Sequence, residues 1–159
     1  MYLIWTVVAF STLIGAYALF DGESVCATAA PSDMALALNL SDYRQAVMAY
    51  VQAHPGVAGS VPGNVLQLSS GEVPNNAWHN YVATNPGQGA GSEVIVYAAS
   101  TSMAAVVPGI EQLAQGSMLA GAADNGYVVS SGNPAVALPA SVTAGVPNGA
   151  PVWIGQVYP

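Results

Sequence analysis

Two histidines, one cysteine, one arginine and eight carboxylates carry most of the reactive chemistry that this sequence of 159 residues can offer. Their spacing does not gather them. The Gly-x-Ser-x-Gly elbow of hydrolases does not occur, and one cysteine with two distant histidines makes no metal-ligand cluster. His54 stands at the end of an apolar-periodic stretch, where a histidine caps carbonyls or favours the helix dipole. His79 lies between Trp78 and Asn80 in an alternating stretch and reads as a surface or edge residue of a strand. Glu72, Glu93, Glu111 and Asp124 share no spacing that would pair two carboxylates for acid and base work. Gly87, Gly89 and Gly91 suggest a phosphate loop, but they precede a strand instead of joining a strand to a helix. Ser92 also stands where the dinucleotide fingerprint has its third glycine, so a hairpin loop is expected. The expectation is a protein without catalysis, cofactor or metal.

Two reactive residues keep open alternatives. Arg44 is the sole fixed cation among eight acids, on a predicted helix whose neighbouring Tyr43 faces inward. It is either a structural ion pair or carbonyl clamp, the task arginine performs where several acceptors are gathered, or an anchor for an acidic partner. Cys26 has no second cysteine in the chain, so it is either a free thiol or one half of an intermolecular disulfide.

A formal charge of −7 with a single fixed cation excludes nucleic acid and anionic lipid surfaces, both of which are bound through clustered Lys and Arg. Charged residues make up 6% and apolar ones 53%, against about 25% charged in an average soluble domain, which argues for a packed structure and against disorder. The length suits one domain plus an appendage.

The appendage is the strongest signal in the chain. Residues 1–20, MYLIWTVVAFSTLIGAYALF, carry no charged side chain, and twenty helical residues at about 1.5 Å each span about 30 Å, the thickness of a bilayer core. A transmembrane signal anchor is expected. A cleaved signal peptide is the alternative, with Ala27-Thr28-Ala29 as its small-residue site, but a basic region ahead of the apolar run is missing. Asp21 and Glu23 follow the span, and an outside-positive potential favours acids outside, so the N-terminus is expected in the cytoplasm and the rest in the periplasm. Ser11 and Gly15, four apart, would let a second helix approach closely. Two copies meeting there would bring their Cys26 residues together.

Residues 21–31 read as a linker, and 32–159 as a periplasmic α+β domain. Leu36, Leu40, Tyr43, Val47, Tyr50, Val51 and His54 mark one face of a helix over 32–54, with Ser32 as its N-cap and Pro55-Gly56 as its stop. Trp78–Val82 and Glu93–Tyr97 are expected to form a hairpin. A second helix over 103–114 must be kinked or opened by Pro108. Met118–Ala122 and Tyr127–Ser130 flank Asn125-Gly126, the best short hairpin signal, and Val152–Tyr158 is a last strand. The order αββ-αββ-β predicts a sandwich in which two helices cover a mostly antiparallel sheet, with an open face or edge strand as partner surface.

Tyr43-Arg44-Gln45-Ala46-Val47-Met48-Ala49-Tyr50, His54-Pro55-Gly56, Gly59-Ser60-Val61, and Trp78 ahead of Val94-Ile95-Val96-Tyr97 resemble the PilM family of type IVb thin-pilus systems encoded by conjugative plasmids. The resemblance implies an inner-membrane protein of the pilus assembly and pilin-transport machinery, without catalysis, in contact with other assembly proteins and pilin and present in several copies. An unrelated, actin-like protein of other type IV pili shares the name and binds nucleotide. The rival reading is a pilin-like minor subunit, since Ser11-Thr12-Leu13-Ile14 echoes the start of pilins. Gly15 stands where their glutamate belongs, however, and no processing site precedes it. A periplasmic binding module released near Ala29 is the third reading.

Overall fold

The computed structural model describes residues 29–158 except 72 and 85–90. The expected transmembrane helix over 1–20, with Ser11 and Gly15, and most of the 21–31 linker, with Cys26, lie outside the described residues. Among the described residues no helix is long and apolar enough to cross a membrane.

The first helix, α1, runs Pro31–Ala53, one residue ahead of its expected start. Pro31 rather than Ser32 opens it: proline's fixed φ suits the first helical position and its missing N–H costs nothing there, so Ala30 takes the cap position without a capping side chain. Ala37, Leu40, Tyr43, Ala46, Val47 and Val51 are buried along one face. His54 ends the helix; its Nδ1 donates to the Tyr50 carbonyl at 2.9 Å and its ring stacks on Tyr50 at 4.3 Å.

Strands β1 (Trp78–Thr84) and β2 (Ser92–Ala98) pair antiparallel as a hairpin, Trp78 opposite Ala98 and Thr84 opposite Ser92. A 3₁₀ turn over Thr101–Val106 then leads into α2, Val107–Leu113. Pro108 therefore opens the α-helical part instead of kinking a longer helix, because its ring cannot be accommodated deeper in the ladder. Strands β3 (Ala120–Asp124) and β4 (Tyr127–Val129) form the second hairpin. Its turn has φ of 48° at Asn125 and 83° at Gly126, the left-handed pair that a two-residue turn requires and that Asn-Gly supplies.

Two elements escaped the sequence reading: β5 (Val136–Ala137) and a single helical turn, α3 (Ala140–Thr143), within the Pro/Gly-rich approach to β6 (Pro151–Val157). The six strands form one sheet in the order β1-β2-β6-β3-β4-β5, antiparallel throughout. The architecture is thus α+β as expected, but the last strand does not close an edge. It inserts between the two hairpins and joins them into one sheet.

Helices α1 and α2 lie on the same face of the sheet. Leu40 and Val47 of α1 and Ile110 of α2 share a core with Val94, Val96, Ala120 and Trp153. The helices touch where Gly109 faces Ala37; a Cβ on Gly109 would come within 2.8 Å of the alanine's. Met48 likewise sits over Gly155, so α1 crosses β6 at a glycine. The opposite face is covered by the 138–150 segment, whose Leu138, Val142, Val146 and Ala150 pack on Ile95, Val128, Val152 and Ile154.

Candidate functional site

Arg44 projects from α1 toward the place where β3 leaves β6. In β6 the residues facing β2 alternate with those facing β3, and Ile154 belongs to the second set, since its N–H donates to the Leu119 carbonyl at 2.8 Å. Leu119's own N–H turns to Ser117 Oγ, which leaves the Ile154 carbonyl without its ladder partner. Arg44 Nη1 fills that place at 3.2 Å, and the guanidinium lies 4.4 Å from the centroid of the Trp153 ring. A carbonyl and an indole face are what Arg44 meets among the described residues; its buried Nε has no hydrogen-bond partner. Burial holds its pKa below the ordinary arginine value, which leaves it cationic at any physiological pH.

A second constellation occupies the outer edge of β1. Gly59 exchanges both backbone hydrogen bonds with Val82, each at 2.8 Å, as a one-residue extension of the sheet. Two residues on, Val61 bonds the Asn80 side chain instead of its backbone. Asn80 Oδ1 accepts from the Val61 N–H at 2.7 Å, while Nδ2 donates to the Val61 carbonyl at 2.9 Å and to the Tyr43 hydroxyl. Asn80 is 3% exposed, so a single buried amide ties the loop, β1 and α1 together. Burial raises the Tyr43 pKa, the Asn80 bond partly opposing it and Tyr97 adding to the rise. Asn39 completes the junction, its Oδ1 accepting from Trp78 Nε1 at 2.8 Å and from the Asn75 N–H at 3.3 Å. Between the loops at 60–64 and 73–76 this arrangement leaves a cavity of about 470 Å³ with Tyr43, Trp78 and Asn80 in its lining.

His79 stays exposed on the face away from the helices and stacks on Tyr97 at 5.7 Å. On that face Glu93 is only 5% exposed, its Oε2 lacks a hydrogen-bond partner among the described residues, and burial raises its carboxyl pKa. The sequence marks Glu93 only as a carboxylate without a paired partner. The signal was its alternation with Ile95 and Tyr97, which puts the three on one face, but whether that face is covered is a tertiary fact. Glu111, on α2, accepts from the Ser131 N–H at 3.4 Å, and Asp124, on β3, accepts from Asn125 Nδ2 at 3.0 Å. Among the described residues no three His, Cys, Asp or Glu side chains gather around a point that could hold a metal.

The edges of the sheet bear on the expected partner surface. β5 is two residues long between Pro134 and Pro139, a device that blunts strand addition. β1 is paired with Gly59 at Val82, and Asn80 and Trp78 further along it are buried beneath the loops bonded to them.

What the fold and these constellations define is a helix-backed antiparallel α+β domain whose polar side chains are spent on tying loops to the sheet. Residues 8–154 match the model of the PilM family, and the chain belongs to that family, which gives it a pilus-related role. No curated protein and no solved structure matches the chain.

Proposed function

We propose that the chain is a non-enzymatic component of the assembly or pilin-transport apparatus of a type IV thin pilus of conjugative plasmids, working through protein–protein contacts. Residues 1–20 anchor it in the inner membrane with the N-terminus in the cytoplasm, and the domain from residue 32 onward lies in the periplasm. The observation that carries this reading is the family match over residues 8–154, nearly the whole chain. The uncharged run at 1–20 supports the anchor, because a helix there satisfies its own backbone in lipid.

Fractionation tests it. The full chain is expected in inner membranes after an alkaline carbonate wash, with Met1 intact on N-terminal sequencing, and its deletion is expected to abolish thin pili. A chain beginning at Ala29 or beyond, recovered soluble, would point to the released binding module. Incorporation into sheared pili would point to the pilin-like subunit. Cys26 reports topology in the same cells: a membrane-impermeant thiol reagent added to the periplasm should label it. In thiol-quenched membranes a dimer lost on Cys26→Ser would support a Cys26–Cys26 link between two copies.

A further inference from the structure

We propose that the helix-bearing face of the sheet over β4 and β5 is a docking surface for an amphipathic helix of a partner protein, one whose apolar face is flanked by lysine or arginine at both ends. The proposal rests on the reading of the chain as a contact protein and names the surface and the partner's chemistry.

The helix layer is one helix short of its sheet. Strands lie about 4.8 Å apart and a helix with its side chains is about 10 Å across, so one helix covers about two strands and a six-stranded face takes about three helices. Helix α1 packs on β1, β2 and β6, and α2 on β6 and β3, which leaves β4 and β5 beyond them. The side chains there are those of a surface made for covering. Val128 points into the core on the opposite face, so Tyr127 and Val129, on either side of it in β4, face the helix layer. They are 47% and 41% exposed. Ala137 and Ala122, their cross-strand partners, are small and keep the floor between β3 and β5 low enough for a helix to lie on it.

Charge decides the occupant. Asp124, exposed, stands opposite Tyr127 at one end of the apolar stripe, and Glu111 of α2 accepts from the Ser131 N–H at 3.4 Å at the other. Tyr127 to Ser131 spans about 13 Å at strand rise, the length of about nine helical residues. A helix lying along the stripe therefore meets apolar side chains at its centre and a carboxylate near each end, and Lys or Arg about two turns apart answers both carboxylates. This chain has no such helix to offer. Arg44 is its only Lys or Arg and is bound to the Ile154 carbonyl, so no surface of a second copy brings the fixed cations required. Residues 1–28 carry only Asp21 and Glu23 as charged side chains, which would meet Asp124 and Glu111 as like charges. The occupant is a different protein.

The test replaces Tyr127 of the full chain with a photo-crosslinking phenylalanine analogue in cells that assemble thin pili and maps the captured segment by mass spectrometry. The expected capture is a segment of another protein with apolar residues at helical spacing and Lys or Arg at both flanks. A synthetic copy of that segment should bind the full chain in detergent micelles, become helical on binding and bind less tightly as salt is raised. Val129→Glu, which sets a charge in the middle of the stripe, should weaken it at least tenfold, and Tyr127→Ser should weaken it too if the glutamate variant does not fold. Asp124→Lys should weaken it about tenfold, with affinity recovered when the facing basic residue of the peptide is made Glu. Val129 and Asp124 are exposed, so both substitutions should leave the melting temperature unchanged. The proposal is overturned if position 127 captures nothing, a second copy or residues 1–28, if the captured segment is acidic or uncharged, or if the Val129 and Asp124 variants bind the peptide as the natural chain does. Membrane fractionation separates this outcome from the broader reading. A chain that is anchored but captures no helix refutes the surface alone, and one that captures the helix but is not anchored refutes the location alone.

Discussion

Asn80→Ala should be among the most damaging single polar substitutions in the domain. The wild-type amide satisfies three groups at once: the Val61 N–H, the Val61 carbonyl and the Tyr43 hydroxyl. Val61 and Tyr43 are 2% and 4% exposed, so water does not readily take the amide's place. Each buried group left unsatisfied costs about 1–3 kcal/mol. The Tyr43 hydroxyl can rotate toward the cavity and recover part of its share, which leaves the two Val61 groups and a total of about 3 kcal/mol. At about 3 °C per kcal/mol for a chain of this size, the melting temperature should fall by about 10 °C. Amide exchange supplies the local readout. Gly59 and Val82 should lose protection together, since their bridge is the remaining tie between the 59–61 strand and β1. Asn80→Asp separates the contributions: it keeps an acceptor for the Val61 N–H and for a rotated Tyr43 hydroxyl but has no donor for the Val61 carbonyl, so it should destabilise as well, increasingly as pH rises and its carboxyl ionises. A loss below about 0.5 kcal/mol for Asn80→Ala, typical of an exposed site, would refute the assignment of this amide as the tie.

The close approaches and the remaining polar groups make further predictions. Gly121→Ala should cost about 3 kcal/mol, because its Cβ would lie 2.1 Å from the Val129 carbonyl oxygen, whereas Gly155→Ala, which meets the flexible end of Met48 at 2.6 Å, should cost about 1 kcal/mol; paired thermal melts rank them. Arg44→Met keeps the packing stem but orphans the Ile154 carbonyl and should cost about 1–2 kcal/mol, with Arg44→Lys intermediate; loss of thin pili without any change in melting temperature would instead assign Arg44 to an acidic partner. Glu93 carries a raised folded-state pKa, so the folded protein binds its proton more tightly than the unfolded chain, and its contribution to stability falls as pH rises through the carboxylate range. Glu93→Gln should therefore flatten the stability profile as pH rises through that range and stabilise the domain more at neutral pH than at pH 4, as urea titrations at the two pH values would report.

Local signals settled much of this protein from the sequence. A 3.6-residue stripe ending at Pro55-Gly56 marked α1, aromatic and β-branched runs marked β1 and β2, and Asn125-Gly126 marked the β3–β4 turn, because each depends on neighbours a few residues apart. The inward Tyr43 and the helix-ending His54 were legible for the same reason. Tertiary structure alone decided what depends on distant residues. That β6 lies between the hairpins follows from pairings such as Ile95 with Ile154, which no local pattern specifies. Leu138, Val142, Val146 and Ala150 recur four apart, yet prolines and glycines between them hid a stretch that covers a whole sheet face. Arg44 was singled out by charge, but its carbonyl exists as an acceptor only because β3 and β6 part company at that residue. Asn80 carried no signal at all: an asparagine in a strand is an ordinary polar residue until folding removes water from around it and leaves a loop's backbone as the groups it must satisfy.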